Sequence, residues 1–272
     1  MGLRINTNVA SQTAQRNLHN VTQRLQGNFS RLSSGLRIAS ASDDAAGLGV
    51  SERMRSQIKS YTVASRNVQD GISMAQTAEG ALNESSNLLV RMRELAVSAS
   101  NGTLSTTDRA TMDNEFSALN DELGRIASTT EFNGISLLDG TTSSTSIQVG
   151  INSSDTISIA NQDASSSALG VESLSVSSTS GASSALSAID AAIATVTTAR
   201  GTLGSSVNRL TSAFSSILNT RENLSSAESR IRDVDVASET ADLTRNSIMQ
   251  QAATSVLSQA NVQPQLALSL LG

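Results

Sequence analysis

The chain is predicted to be mainly α, with long antiparallel helices forming coiled-coil bundles and a small β-hairpin region between its N- and C-terminal halves. Three observations carry this prediction. Two long stretches repeat apolar residues at alternating spacings of three and four, the seam of a coiled coil. Aromatic residues make up only 2% of 272, with no tryptophan, so the packing must be thin and built from Leu, Ile, Val and Ala rather than large rings. Between the stretches lies a Ser/Thr-rich segment containing a short apolar–polar alternation.

The N-terminal segment has its own short seam in Leu18, Val21, Leu25 and Leu32. From Met1 to Ser42 it carries five arginines and no acid, a pattern that superficially mimics a transit peptide and reads better as a basic amphipathic helix end. Asp43 and Asp44 precede "AAGLGV" and suit a helix start, where acids interact favourably with the dipole; capping is preferred over an acid–base pair. The "GLG" of Gly47 to Gly49 lacks the third glycine and preceding strand of a dinucleotide loop, so close packing is expected. From Ile58 the next seam runs Tyr61, Ser65, Val68, Ile72, Ala75, Glu79, Leu82, Ser86 and Leu89. Its polar intruders weaken the helix pair and can fix its register.

Within Thr141 to Ala185, "SIQVGINSSDTISIA" alternates at Ile147 and Val149, then at Ile157 and Ile159, around an Asn-Ser-Ser-Asp turn, which predicts a hairpin. A polar connection follows. The returning seam runs Leu203, Val207, Leu210, Phe214, Ile217, Arg221, Leu224, Glu228 and Ile231. From about Leu243 a broader apolar face follows in Ile248, Met249, Ala252, Val256, Leu257 and Ala260. Pro264 is expected to kink or end that helix. Leu266 to Leu271 has no polar face and must be buried against something. The predicted order is helix, helix, hairpin, helix, helix, so the chain returns along its own length and its first and last helices become partners.

Little in the chain suits catalysis. Without cysteine there is no disulfide framework, thiolate zinc site or thiol nucleophile. His19 is the lone histidine, so a paired-histidine metal motif is absent and no triad can be built on it. No enzyme activity, metal or cofactor is expected. No apolar run approaches the roughly 18 residues of a membrane span, no secretory signal is apparent, and the net charge of −5 argues against a nucleic-acid partner. Of 19 basic residues all but Lys59 are arginine, which suits interfaces and equally suits a biased genome composition.

At "INTNVASQTAQRNL", "RLSSGLRIASASDDAAGLGVSERMRSQI", "RNVQDGISMAQTAEGAL", "MRELAVSASNGT", "EFNGISLLDG" and "SVLSQANVQPQLALSLLG" the sequence resembles bacterial flagellin along nearly its whole length. Ala39 and Ser42 stand where flagellins often carry Asn and Lys, and the outer domains that many flagellins insert between the halves are missing, so it looks like a minimal form. The resemblance implies an inner core domain built from residues 1–43 (terminal helix plus connecting spoke) and 236–272. An outer-core helical domain would then comprise residues 44–180, including the hairpin, and the returning helix 181–235.

The implied function is the structural subunit that polymerises into the flagellar filament for swimming motility; the alternative is the hook–filament junction protein. The implied polymerisation residues are Leu18, Val21, Leu25, Leu32, Ile248, Ala252, Val256, Leu257, Leu266 and Leu270. Implied partners are further copies in a helical homopolymer, an export chaperone, and cap and hook-associated proteins, with neither nucleic acid nor membrane. The implied location is the extracellular filament, reached by type III export. Arg91, Leu95 and Glu115 match positions through which the vertebrate flagellin-sensing Toll-like receptor recognises flagellins. The Ser/Thr-rich connection is an unmodified polar loop or, as in some flagellins, an acceptor of O-linked sugars.

Overall fold

The computed structural model describes residues 7–269, with side chains through Val262. In chain order these form α1 (Val9–Ser34), α2 (Ala45–Ala99), α3 (Thr106–Thr129), β1 (Glu131–Phe132), β2 (Ile135–Ser136), β3 (Ser144–Gln148), β4 (Thr156–Ala160), α4 (Thr179–Arg232) and α5 (Val236–Ser269). Two compact units result: one holds the described residues up to Ser56 and those from Asn223, the other Gln57–Glu222.

The second unit is built on the predicted seams. Val68, Leu82, Leu89 and Met92 of α2 and Ile189, Val196, Leu203 and Leu210 of α4 are buried in one cluster with Phe116 and Leu123 of α3. The intruder Glu79 is paired, accepting from Arg200 Nε at 2.8 Å. The predicted hairpin is β3 and β4, antiparallel, with Ile147 opposite Ile157 and Thr145 opposite Ile159. Its turn is held by Asp155, whose carboxylate accepts from the Asn152 backbone N–H (3.1 Å) and side-chain amide (2.9 Å). Ile147 packs directly on α2 at Gly71, where a Cβ would lie 3.0 Å from it, so the glycine is what lets the hairpin approach.

Helix α3 and the β1–β2 pair are additions to the predicted order. A capping box starts α3: the Ser105 hydroxyl accepts from the Asp108 N–H at 3.2 Å, and Asp108 accepts from the Ser105 N–H and hydroxyl at 3.2 and 2.7 Å. Arg109, in the first turn of α3 and buried, donates to the carbonyls of Ala99 (2.9 Å) and Asn101 (2.8 Å). The Ala99 carbonyl is one that the end of α2 leaves without a helical partner, and the Asn101 carbonyl, which also accepts from the Leu104 N–H at 3.3 Å, belongs to the turn that follows. Asn133 and Gly134, both at positive φ (52° and 77°), make the tight Asn-Gly turn joining β1 to β2.

Helix α4 also corrects one expectation, because it contains a window long and apolar enough by composition to cross a membrane. The same residues supply the core: Ala185, Ile189, Ala192, Val196, Ala199 and Leu203 are buried at three- and four-residue spacing.

Several carboxylates of this unit are held below their ordinary range by hydrogen bonds. The Ser105 hydroxyl and then its N–H do this for Asp108, Arg125 for Glu122, the Thr141 hydroxyl and N–H for Asp139, and Arg93 for Asp190. A carboxylate with a depressed folded-state pKa contributes stability above its unfolded value, near 4. That contribution is lost as pH falls through the folded value. All four are solvent-exposed, so each contribution is small. The thermal midpoint of this unit, followed by circular dichroism, is expected to stay flat from about pH 7 to 5 and to fall below about pH 4, with a shallower fall in Asp108→Asn. A midpoint that rises on acidification contradicts this.

A candidate assembly surface on the terminal helices

In the first unit α1 begins at Asn8, whose Oδ1 accepts from the Ser11 N–H at 3.1 Å, and ends at Gly35, which takes the left-handed φ of 71° and donates its N–H to the Arg31 carbonyl at 2.9 Å. The chain leaving α1 is stitched to the exit of α4. Val234 N–H bonds the Gly35 carbonyl (3.0 Å), Arg37 N–H the Arg232 carbonyl (2.7 Å) and the Arg37 guanidinium the Ile231 carbonyl (2.5 Å). Arg232 reaches Glu52 at 2.7 Å.

The paired acids that follow perform local tasks. Asp43 accepts from the N–H groups of Ala39 (3.1 Å) and Ser40 (2.9 Å) and from the Ser40 hydroxyl (2.9 Å). These bonds, Ser40's foremost, hold its carboxyl below the usual range. Asp44 accepts from the Gly47 N–H at 2.9 Å and caps α2. Gly47 is closely packed, since a Cβ there would meet the Asp44 carboxylate and, at 2.8 Å, Ile38. Gly49 departs from the expectation: nothing lies within 4 Å of its Cβ position.

Helices α1 and α5 pack against each other antiparallel, as residues from opposite ends of the chain. At one end Asn28 donates to Glu239 Oε1 at 2.6 Å, Arg31 Nε donates to the same oxygen at 2.9 Å, and Asn246 donates to Asn28 Oδ1 at 2.9 Å. Asn28, Glu239 and Asn246 are buried. At the other end Asn8 Nδ2 donates to the Ala260 carbonyl at 2.8 Å, and the Ser11 hydroxyl to Asn261 Oδ1 at 2.8 Å. Helix α5 continues through Pro264 to Ser269, so the proline does not end it.

The predicted polymerisation residues divide into two groups. Leu18, Val21, Leu25, Leu32 and Leu257 are half-buried. Ile248 and Val256, in contrast, are 61% and 58% exposed, and Ala252 between them is exposed too. Their four-residue spacing makes one stripe along α5. A helix covered by a single partner keeps its far side open, so what the sequence presents as one broad face is two. Val9 and Phe29 of α1 are likewise 58% and 55% exposed. The Leu266 side chain and Leu270 lie outside the described residues.

The candidate recognition residues lie in the other unit. Arg91 donates from Nε and Nη2 to Glu115 Oε1 at 3.0 and 2.8 Å, and from Nη1 to Glu94 at 2.9 Å. The structure thus brings Arg91 and Glu115 together at the surface. Leu95 is buried in the core, so its four-residue spacing from Arg91 puts the pair at the rim and the inside of one face. His19 is exposed on α1. Asn8, Asn28, Glu239 and Asn246 carry no sequence signal, because their partners lie more than two hundred residues away.

Among the described residues the chain ends pair with each other and leave an apolar stripe of α5 exposed, an arrangement that suits a self-associating structural protein. The comparisons with known proteins specify which one. The model of the bacterial flagellin N-terminal helical region matches residues 5–143, and that of the C-terminal helical region matches residues 186–271. The chain is 45% identical to a flagellin of Halalkalibacterium halodurans over 98% of this chain and 99% of that one. It is 41% identical to a flagellin of Bacillus subtilis over 99% and 100%. The crystal structure of Bacillus cereus flagellin superposes with a TM-score of 0.52 at 36% identity, covering 56% of this chain and 88% of that one. The chain belongs to the bacterial flagellin family, as a short form lacking the variable domains, and is a structural subunit that self-polymerises into the flagellar filament. Nothing in these relatives favours the hook–filament junction alternative.

Proposed function

We propose that the filament is held together at the terminal helices, with the stripe of Ile248, Ala252 and Val256, together with Val9 and Phe29, buried by neighbouring copies, and with Leu266 and Leu270 extending that contact. The observation that carries this is the exposure of Ile248 and Val256 on a helix whose other side is already covered. Large apolar side chains aligned in a stripe favour association because their burial removes them from water. The half-buried Leu18, Val21, Leu25, Leu32 and Leu257 hold α1 to α5 and so present the stripe.

In this reading residues 1–43 and 236–272 form the inner core domain of the subunit, and 44–180 with 181–235 its outer-core helical domain. The filament is extracellular, the subunit reaches it by export with a chaperone, and cap and hook-associated proteins bound the polymer. Its work is mechanical and no bond is made or broken by it. The exposed Arg91–Glu115 pair is the part of the receptor-matching set available to a Toll-like receptor; Leu95 serves packing.

The test is electron microscopy of purified monomer given filament seeds and a precipitating salt, beside a chain truncated after Asn261. Long uniform filaments are expected from the full chain and none from the truncation, whose second unit keeps its helicity. Unchanged filaments from the truncation overturn the role of the tail, and short rings from the full chain overturn the filament reading.

A further inference from the structure

We infer that Asn8 and Pro264 work together as a clasp that allows α1 and α5 only one register, and that Pro264 is in the helix to make this clasp necessary. A proline inside a helix has no N–H for the carbonyl four residues before it. For Pro264 that carbonyl belongs to Ala260, a buried residue, and a buried acceptor without a donor is costly. The missing donor comes from the other end of the chain, as Asn8 Nδ2 lies 2.8 Å from the Ala260 oxygen.

Asn8 is suited to this because its amide has two ends. Its Oδ1 caps α1 by accepting from the Ser11 N–H while its Nδ2 serves α5, so the start of one helix is tied to the point where the other lacks a bond. Ser11 adds the neighbouring contact to Asn261.

The second polar cluster enforces the same alignment. From Asn8 to Asn28 is twenty residues along α1, and from Ala260 back to Glu239 is twenty-one along α5. An antiparallel pair therefore satisfies both clusters at once. A slip of one turn, about 5.4 Å, strands the Ala260 carbonyl at one end and the Glu239 carboxylate at the other. The apolar seam alone tolerates that slip, since its residues recur every three or four positions.

The filament reading enters only as the readout. The measurement is the monomer concentration left unassembled at equilibrium after seeding the full chain. Asn8→Ser keeps a capping oxygen and is too short to reach Ala260. It is expected to raise that concentration about tenfold, the equivalent of one unmade part-buried hydrogen bond. In a Pro264→Ala background residue 264 regains its N–H, and the same substitution is expected to cost no more than about twofold. Equal effects in the two backgrounds, or no effect in the parent, overturn the clasp.

If Asn8→Ser fails to assemble at all, adding Pro264→Ala restores growth on this account, and failure to restore it overturns the clasp. If the unmodified chain grows no filaments on competent seeds, the filament reading falls and the clasp is judged on the monomer. The natural chain has no cysteine, so Ser11→Cys with Asn261→Cys, bridged by a short thiol crosslinker, is compared with Ser11→Cys with Leu257→Cys, one turn away. Preferential bridging of the first pair, lost on Asn8→Ser, supports the clasp; equal bridging overturns it.

Discussion

Val256→Asp leaves the isolated chain folded and abolishes filament growth. Val256 is 58% exposed, so a carboxylate there meets water in the monomer and costs little. When neighbouring copies cover the α5 stripe, the same carboxylate is desolvated without a partner, a penalty of several kcal/mol. The expected result is a rise of at least about 100-fold in the concentration needed for seeded growth, with far-UV circular dichroism of the monomer unchanged. The same substitution at Ile248, 61% exposed on the same stripe, should act alike. Filaments that form from Val256→Asp at the normal concentration would place the α5 stripe outside the subunit contact and leave the tail with Val9 and Phe29 of α1 as the remaining candidates.

Phe116→Ala has the opposite profile, weakening the folded chain itself. Phe116 is fully buried, the largest such side chain in the second unit, and packs where α3 meets the cluster formed by α2 and α4. The loss combines the transfer term with the residual cavity, about 3–5 kcal/mol for Phe to Ala. At 2–4 °C per kcal/mol for a unit of this size, the thermal midpoint should fall by roughly 10 °C. A drop of under about 3 °C by calorimetry would show that the α3 interface collapses to fill the gap.

How much of this was legible in the sequence varied with how local the cause was. The seams of α2 and α4 were legible because a repeat every three and four residues is written along one helix, and Val68, Leu82, Leu203 and Leu210 are buried as that repeat requires. The β3–β4 hairpin was legible because alternation and turn lie within one short segment. Helix α3 has a local signal too, but one that lies outside the apolar repeat: Ser105 and Asp108 stand three apart as a capping box, after the Asn101-Gly102 break. The β1–β2 turn at Asn133-Gly134 is equally local.

The assembly surface was only half legible. Its apolar residues were visible, but their division into a half-buried Leu257 and an exposed Val256 depends on where α1 lies. That in turn depends on Asn8, Asn28, Arg31 and Glu239, ordinary polar residues until their distant partners are in place. Leu95 shows the same limit, since its spacing from Arg91 fixes the face and leaves the depth undetermined.

The bond from Asn8 to Ala260 spans 252 residues of sequence, and that separation sets a timetable. At a synthesis rate of 5–20 residues per second, the partner of α1 arrives about 10 to 50 s after α1 itself. Throughout that interval Asn8 has no carbonyl to reach, Asn28 no carboxylate, and the α1 seam no α5 to lie on. Contacts this distant in sequence are slow to form because the whole intervening chain must first be closed into a loop. Every nascent subunit is therefore kept from presenting its finished terminal pair until almost its last residue has been made.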